Sequence, residues 1–203
     1  MLHDFEPAIE IALEPVDSVR ITTLMDNVTD IFMPDQGPAH RVSLGVGPWK
    51  TAAVMDNGEV PVPITGEVPR TTGYEPGFPP QQAWLHNSWQ PDPLVLDEQA
   101  LIVNVRDKGL AVLTGCGHAG VVNIARYAQR LTGDQPLHAL LGGFHLNGPL
   151  FEPLIPRVLD DLAALHPSVL VPAHCTGWRA QHAMSARFGP AFIPNSVGTT
   201  FHL

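Results

Sequence analysis

Three times in the second half of the 203-residue chain, an apolar run ends in a turn of small residues carrying a histidine, and helical spacing follows. The segments are Leu110 to His118 (LAVLTGCGH), Leu137 to His145 (LHALLGGFH) and Ser168 to His174 (SVLVPAH). Strands that alternate with helices tend to pair in parallel, which brings their carboxyl ends to one edge of a sheet. Open α/β sheets place their ligands at that edge. Three imidazoles delivered there read as a metal site.

The intervening segments support this frame. Val121, Ile124, Ala125, Ala128 and Leu131 recur at helical spacing, with Gly133 placed to end the helix and Arg130 suited to its dipole. Phe151, Ile155, Val158, Leu159, Leu162 and Leu165 form a second stripe, whose Pro153 and Pro156 fit only in a first turn. A third helix is expected from an N-cap at Thr176 to about Gly189, with Ala180, Ala183, Met184 and Phe188 facing inward. Upstream, 101–106 and 110–113 read as strands of a hairpin turned by Asp107-Lys108-Gly109. Residues 16–24 alternate as an early strand.

Residues 34–93 differ in texture, holding eleven of the 21 prolines and showing little periodicity. An irregular stretch of that length is uncommon inside a compact domain, so it reads as a functional flap or the trace of a missing piece. Otherwise residues 1–203 read as one domain, large enough to bury a substantial core.

Twenty acidic against 11 basic residues give a formal charge of −9. Such a surface repels polyanions, so no nucleic-acid partner is expected. No apolar run is long enough to span a bilayer, and Met1 to Glu6 lack the start of a secretory signal. A cytoplasmic protein acting on a small molecule, with no membrane partner, is the expectation. Two cysteines are too few for a disulfide scaffold, yet Cys116 and Cys175 each lie within two residues of a candidate histidine.

Neutral imidazole suits zinc, whose catalytic sites use three protein ligands and keep one position for water. Zinc lowers the pKa of that water to about 7, yielding hydroxide at neutral pH. His118 and His174 are the leading ligand candidates, with His145 third because Gly142-Gly143 could exist only to turn the chain. The helices after His118 and His174 would point positive dipole ends at an anionic substrate. Any one of these histidines alone reads better as an ordinary partly buried residue; equivalent positions on three strands shift the balance to ligation for His118 and His174. His138, His166 and His182 are explained by exposure or packing, and His3, His40, His86 and His202 have no context favouring ligation. Cys175, at a helix start beside His174, could be a nucleophile. Cys116 reads as a small buried residue, and either thiolate could instead join a metal sphere.

Leu96-Asp-Glu-Gln-Ala-Leu101, Leu113 to Ile124 (LTGCGHAGVVNI), Leu141-Gly-Gly-Phe-His-Leu146, Pro172-Ala-His-Cys-Thr-Gly177 and Gly66-Glu-Val-Pro-Arg70 resemble the metallo-β-lactamase superfamily. The resemblance is to its branch labelled dihydropterin-ribofuranosyl-aminobenzene-phosphate synthase-like, and it covers about residues 60–203. It implies an α/β fold, an αββα sandwich with one or two zinc ions at one edge of the sheets. It matches His118 and His174 to metal ligands and puts His145 near a further ligand position, where it would ligate or steady developing charge as a catalytic group. The activity implied is hydrolysis of a phosphoester, ester or amide by metal-bound hydroxide.

The sequence departs from that pattern in one respect. The superfamily's main ligand motif is His-x-His-x-Asp-His, and here no two histidines are separated by one residue; the closest pair, His138 and His145, are seven apart. The sandwich is therefore expected to be incomplete in its amino-terminal half, through a deletion or a shortened gene product. Missing strands would uncover edges or apolar faces, which a homodimer could cover. The alternative to a hydrolase is an inactive remnant of the fold that acts by binding or assembly.

Overall fold

A computed structural model describes residues 13–26, 51–56 and 62–203. Its centre is a four-stranded sheet of β5 (Ala100–Val105), β6 (Gly109–Thr114), β7 (Leu137–Gly142) and β8 (Val169–Pro172), in that order. β5 and β6 form the antiparallel hairpin read from the sequence, pairing Ala100 with Thr114 and Val105 with Gly109. β6, β7 and β8 run parallel. Their carboxyl ends therefore share one edge, as the alternation of apolar runs and helical stripes requires.

Each strand buries both faces, and the two-residue period divides its side chains between two apolar cores. Ile102, Leu110, Val112, Leu140 and Leu170 face α1 (Val121–Leu131), α2 (Ile155–Ala164) and α3 (Trp178–Phe188). Val103, Val105, Ala111, Ala139, Leu141 and Val171 face the other way, onto Val16, Val19, Ile21, Phe201 and Leu203. Those last residues belong to or flank β1 (Arg20–Asp26) and β9 (Thr200–His202), which join β2 (Thr51–Asp56) in an antiparallel sheet ordered β2-β1-β9. The layers are thus helices, a four-stranded sheet and a three-stranded sheet. Among the described residues, all three long helices lie on one side of the sandwich.

The helical stripes land where the sequence places them. Val121, Ile124, Ala125, Ala128 and Leu131 are all buried on α1, and Ile155, Val158, Leu159 and Leu162 on α2. Pro153 sits in a 3₁₀ turn (Glu152–Leu154) that leads into α2, and Pro156 in the first turn of α2 itself. Both positions need no amide donor from the proline. α3 begins one residue later than expected, with Gly177 rather than Thr176 as N-cap. Thr176 is fully buried and instead accepts a hydrogen bond from the Phe144 amide at 3.2 Å. The early strand lies at 20–26, later than the 16–24 of the sequence pattern, while Val16 forms a separate parallel bridge to Val105.

Part of the proline-rich passage is ordered sheet. β2 falls within it, as does a hairpin of β3 (Gln82–Leu85) and β4 (Ser88–Pro91). His86 and Asn87 both take positive φ, 50° and 64°, which matches the two-residue turn that suits a twisted hairpin. Trp84 and Trp89 pair across it, ring centroids 5.3 Å apart. Residues 34–50 and 57–61, with His40, lie outside the described residues.

Among the described residues, short segments outside the strands bond to both edges of the four-stranded sheet. Along β5, Thr65 donates to Ala100 and Ile102 to Pro63, and Val16 bonds to Asn104 and Arg106. Along β8, Ile193 donates to Leu170. Both edges are thereby paired over part of their length. No helix among the described residues is long and apolar enough to cross a membrane.

Candidate functional site

The three turns that follow β6, β7 and β8 are bonded to one another. Gly143 donates to the Gly115 carbonyl at 2.8 Å, and Ala173 to that of Gly142 at 2.7 Å, which carries the parallel ladder past the strand ends. Gly117, at φ +75°, allows the first turn to lie against the second; a Cβ there would stand 2.5 Å from the Gly143 oxygen. All three candidate histidines are buried on these turns.

His118 and His145 meet edge to face, ring centroids 4.4 Å apart. Phe78 stacks on His118 at 5.4 Å and meets His145 at 4.7 Å, and Phe151 closes on His145 at 4.5 Å. His145 holds φ 47°, a left-handed conformation unusual for a side-chain-bearing residue and enriched at functional sites. A small pocket opens here, lined among others by Glu75, Gly117, His118, His145, Leu146 and Phe151.

Glu98 supports His118 from behind. Its Oε1 lies 3.3 Å from His118 Nδ1, and its Oε2 accepts the Ala119 amide, with both side chains buried. Burial would raise this carboxyl, but hydrogen bonds from His118 and the Ala119 amide outweigh it and hold Glu98 below the ordinary carboxylate range. A carboxylate on Nδ1 assigns the proton to that nitrogen and leaves Nε2 as the donor atom, the arrangement that orients ligating histidines. Arg70 bonds through Nη1 to the His118 carbonyl at 2.7 Å and through Nη2 to that of Leu94, tying the 66–70 segment to the same turn.

His174 joins a different group. Its Nε2 lies 3.1 Å from Cys116 Sγ, while the Cys175 thiol donates to the Cys116 carbonyl at 3.0 Å. One ligand atom from each of Cys116, His174 and Cys175 falls within 4.8 Å of the others. Cys175 and, despite burial, His174 favour the thiolate of Cys116 and hold it well below the usual thiol range. The edge therefore carries two neighbouring clusters: the imidazole pair of His118 and His145, and the sulfur-rich group around His174. The turn 115–118 contributes to both.

Glu75 changes the expectation for α1. Its carboxylate accepts the amides of Val122 and Asn123 at 3.0 and 3.1 Å and the Thr72 hydroxyl at 3.1 Å. The amino end of α1 is thus satisfied by the protein's own carboxylate instead of being offered to an anionic substrate. Burial pushes Glu75 up to about 7 against the opposing pull of those three hydrogen bonds.

The histidines set aside in the sequence lie apart from this edge. His86, His166, His182 and His202 are exposed, His182 stacking on Trp178, and His138 is half-buried within β7. His3 is outside the described residues.

No family model matches the chain. A curated relative from Methanocaldococcus jannaschii, 7,8-dihydropterin-6-methyl-4-(beta-D-ribofuranosyl)-aminobenzene-5'-phosphate synthase, is 31% identical over 98 residues, which are 48% of this chain and 33% of the relative. A solved structure, Tm1679, described as a metal-dependent hydrolase of the beta-lactamase superfamily, superposes with a TM-score of 0.54 at 28% identity, over 59% of this chain and 45% of that one. In both sequence and fold the chain resembles the metallo-β-lactamase superfamily.

As a partial metallo-β-lactamase sandwich, the chain spans a third of the curated relative's length and under half of the structural neighbour's. Its donor chemistry fits a metal ion. Cys116, His174 and Cys175 offer the sulfur and nitrogen atoms that zinc and similar ions take, and a Cβ on Gly143 would intrude to 2.5 Å of Cys175 Sγ and 2.8 Å of the His174 ring. Glu98, Glu75 and Phe78 were absent from the sequence-derived candidates. Glu98 had a signal: hairpin pairing of Ala100 with Thr114 sets the residues just before β5 beside those just after β6.

Proposed function

We propose that this metallo-β-lactamase-fold chain is a zinc-dependent hydrolase acting on a phosphoester or a related ester or amide. The observation that carries this reading is the buried His118–Glu98 pair on the strand-end edge, beside His145, in a fold whose solved neighbour is described as a metal-dependent hydrolase. His118, His145 and His174 are the proposed ligands, with His145 also placed to steady charge on substrate. Zinc, when bound, supplies a Lewis acid and a water acidic enough to ionise near neutral pH.

The chain's own residues define the remaining work. Glu98 holds the proton at His118 Nδ1, so the opposite nitrogen keeps its lone pair for ligation. Phe78 and Phe151 pack on the imidazole pair and exclude water, which strengthens any interaction between a charged substrate and His145. Leu146, Leu154 and Val158 give the pocket an apolar wall. The two free cysteines suit a reducing cytoplasm, where we place the protein.

Purified, tag-free protein is expected to carry zinc, and to lose both zinc and turnover of a generic phosphodiester in His118→Ala and His174→Ala variants. Chelation should abolish turnover and zinc restore it. Metal content indifferent to both substitutions would overturn the ligand assignment. A second reading is favoured by one feature, the lack of a His-x-His-x-Asp-His segment: an inactive member of the fold that binds or assembles, as a homodimer for example. Chelator-sensitive turnover restored by zinc excludes it.

A further inference from the structure

We infer that Cys116, His174 and Cys175 form a thiolate-rich site for one borderline divalent cation, of which zinc is the best match. The inference shares His174 with the hydrolase reading but draws on the sulfurs, which that reading does not use. Three ligand atoms from two turns already lie within 4.8 Å of one another. Two sulfurs and an imidazole with a fourth position open is a donor set that zinc takes, and soft thiolates select it over magnesium or calcium.

Cys175 is buried, and its thiol is turned to the Cys116 carbonyl, so both sulfurs sit at the joined turns of Cys116 and His174. Cys116 is partly accessible, which provides a route for an ion and a fourth ligand. Gly143 leaves free the space that a methyl group would take from Cys175 and the His174 ring. On binding, the cation would replace the Cys175 hydrogen bond to the Cys116 carbonyl. Both sulfurs would coordinate as thiolates, with the thiol protons passing to water.

Cobalt(II) titration of the reduced, metal-free full chain tests this, because cobalt bound to thiolate absorbs in the near ultraviolet through charge transfer. The chain has two cysteines, so any such band arises from Cys116 and Cys175. The band should appear in the unsubstituted protein, saturate at one cobalt per chain and disappear on adding zinc. It should weaken in Cys116→Ser and Cys175→Ser and persist in His145→Ala. Gly143→Ala should weaken cobalt binding at least tenfold with every ligand intact, and thermal melts of each variant confirm folding. Cobalt bound without a charge-transfer band, or no cobalt bound at all, overturns the inference, and the measurement on the unsubstituted chain decides this even if variants unfold. A band without hydrolysis supports the sulfur site and sinks the hydrolase reading; hydrolysis with bound metal but no band does the reverse.

Discussion

Two buried glutamates on this edge serve different ends, and their titration separates them. Glu98 is held low by His118 and the Ala119 amide, so its stabilisation is present above the unfolded carboxylate value and lost as pH falls. Glu75 is pushed up to about 7, so the folded state binds a proton more tightly than the unfolded chain. Its contribution therefore declines as pH rises from about 4.3 through 7. The difference in urea midpoint between unsubstituted protein and Glu75→Gln should change across that window, with the unsubstituted protein losing ground as pH rises. A difference that stays constant from pH 5 to 8 would refute the assignment. For Glu98→Gln the expected effect is on the metal: an amide can accept the His118 proton but brings no charge, and zinc affinity should fall roughly 10- to 100-fold. Competition with a chromophoric chelator measures it.

At the scale of elements, the turn before α1 is the joint of the site. Asn123 is almost fully buried on α1; its Oδ1 accepts the amides of Thr71 and Thr72, and its Nδ2 donates to the Ala119 carbonyl at 2.9 Å. Asn123→Ala would strand several of those partners, and since each unsatisfied buried group costs about 1–3 kcal/mol, a loss of roughly 2–4 kcal/mol is expected in chemical denaturation. A loss below about 1 kcal/mol would mean that water replaces the amide. The elements themselves were legible in the sequence because α1, α2 and the strands β5 to β8 each bury a periodic set of apolar side chains. The β3–β4 hairpin was not, since its order comes from the His86-Asn87 turn and the Trp84–Trp89 pair, with most of its side chains exposed. Likewise the three histidines were legible as strand-end residues, whereas Glu75 lies 43 positions before His118 and reaches α1 through a loop whose path no local pattern encodes.

At the scale of the molecule, the described residues form two apolar cores that share one sheet, and this decides how damage spreads. Ala139, Leu140 and Leu141 alternate between the cores, so neither can loosen without removing support from the strands that carry the histidine turns. Phe201 anchors the far core from β9, near the opposite end of the chain from Val16 and Ile21, which it packs with. Phe201→Ala removes a buried ring and should cost about 3–5 kcal/mol. For a domain of this size that is a fall in Tm of roughly 6–20 °C, in a single transition seen alike by far-ultraviolet dichroism and by tryptophan fluorescence. Because Phe201 neither lines the pocket nor belongs to the Cys116, His174 and Cys175 group, metal affinity measured well below the new Tm should match that of the unsubstituted chain. Two separate transitions, with the four-stranded sheet surviving the loss of β9, would show that the cores fold independently. In that case the helices and the four-stranded sheet alone would suffice to build the site.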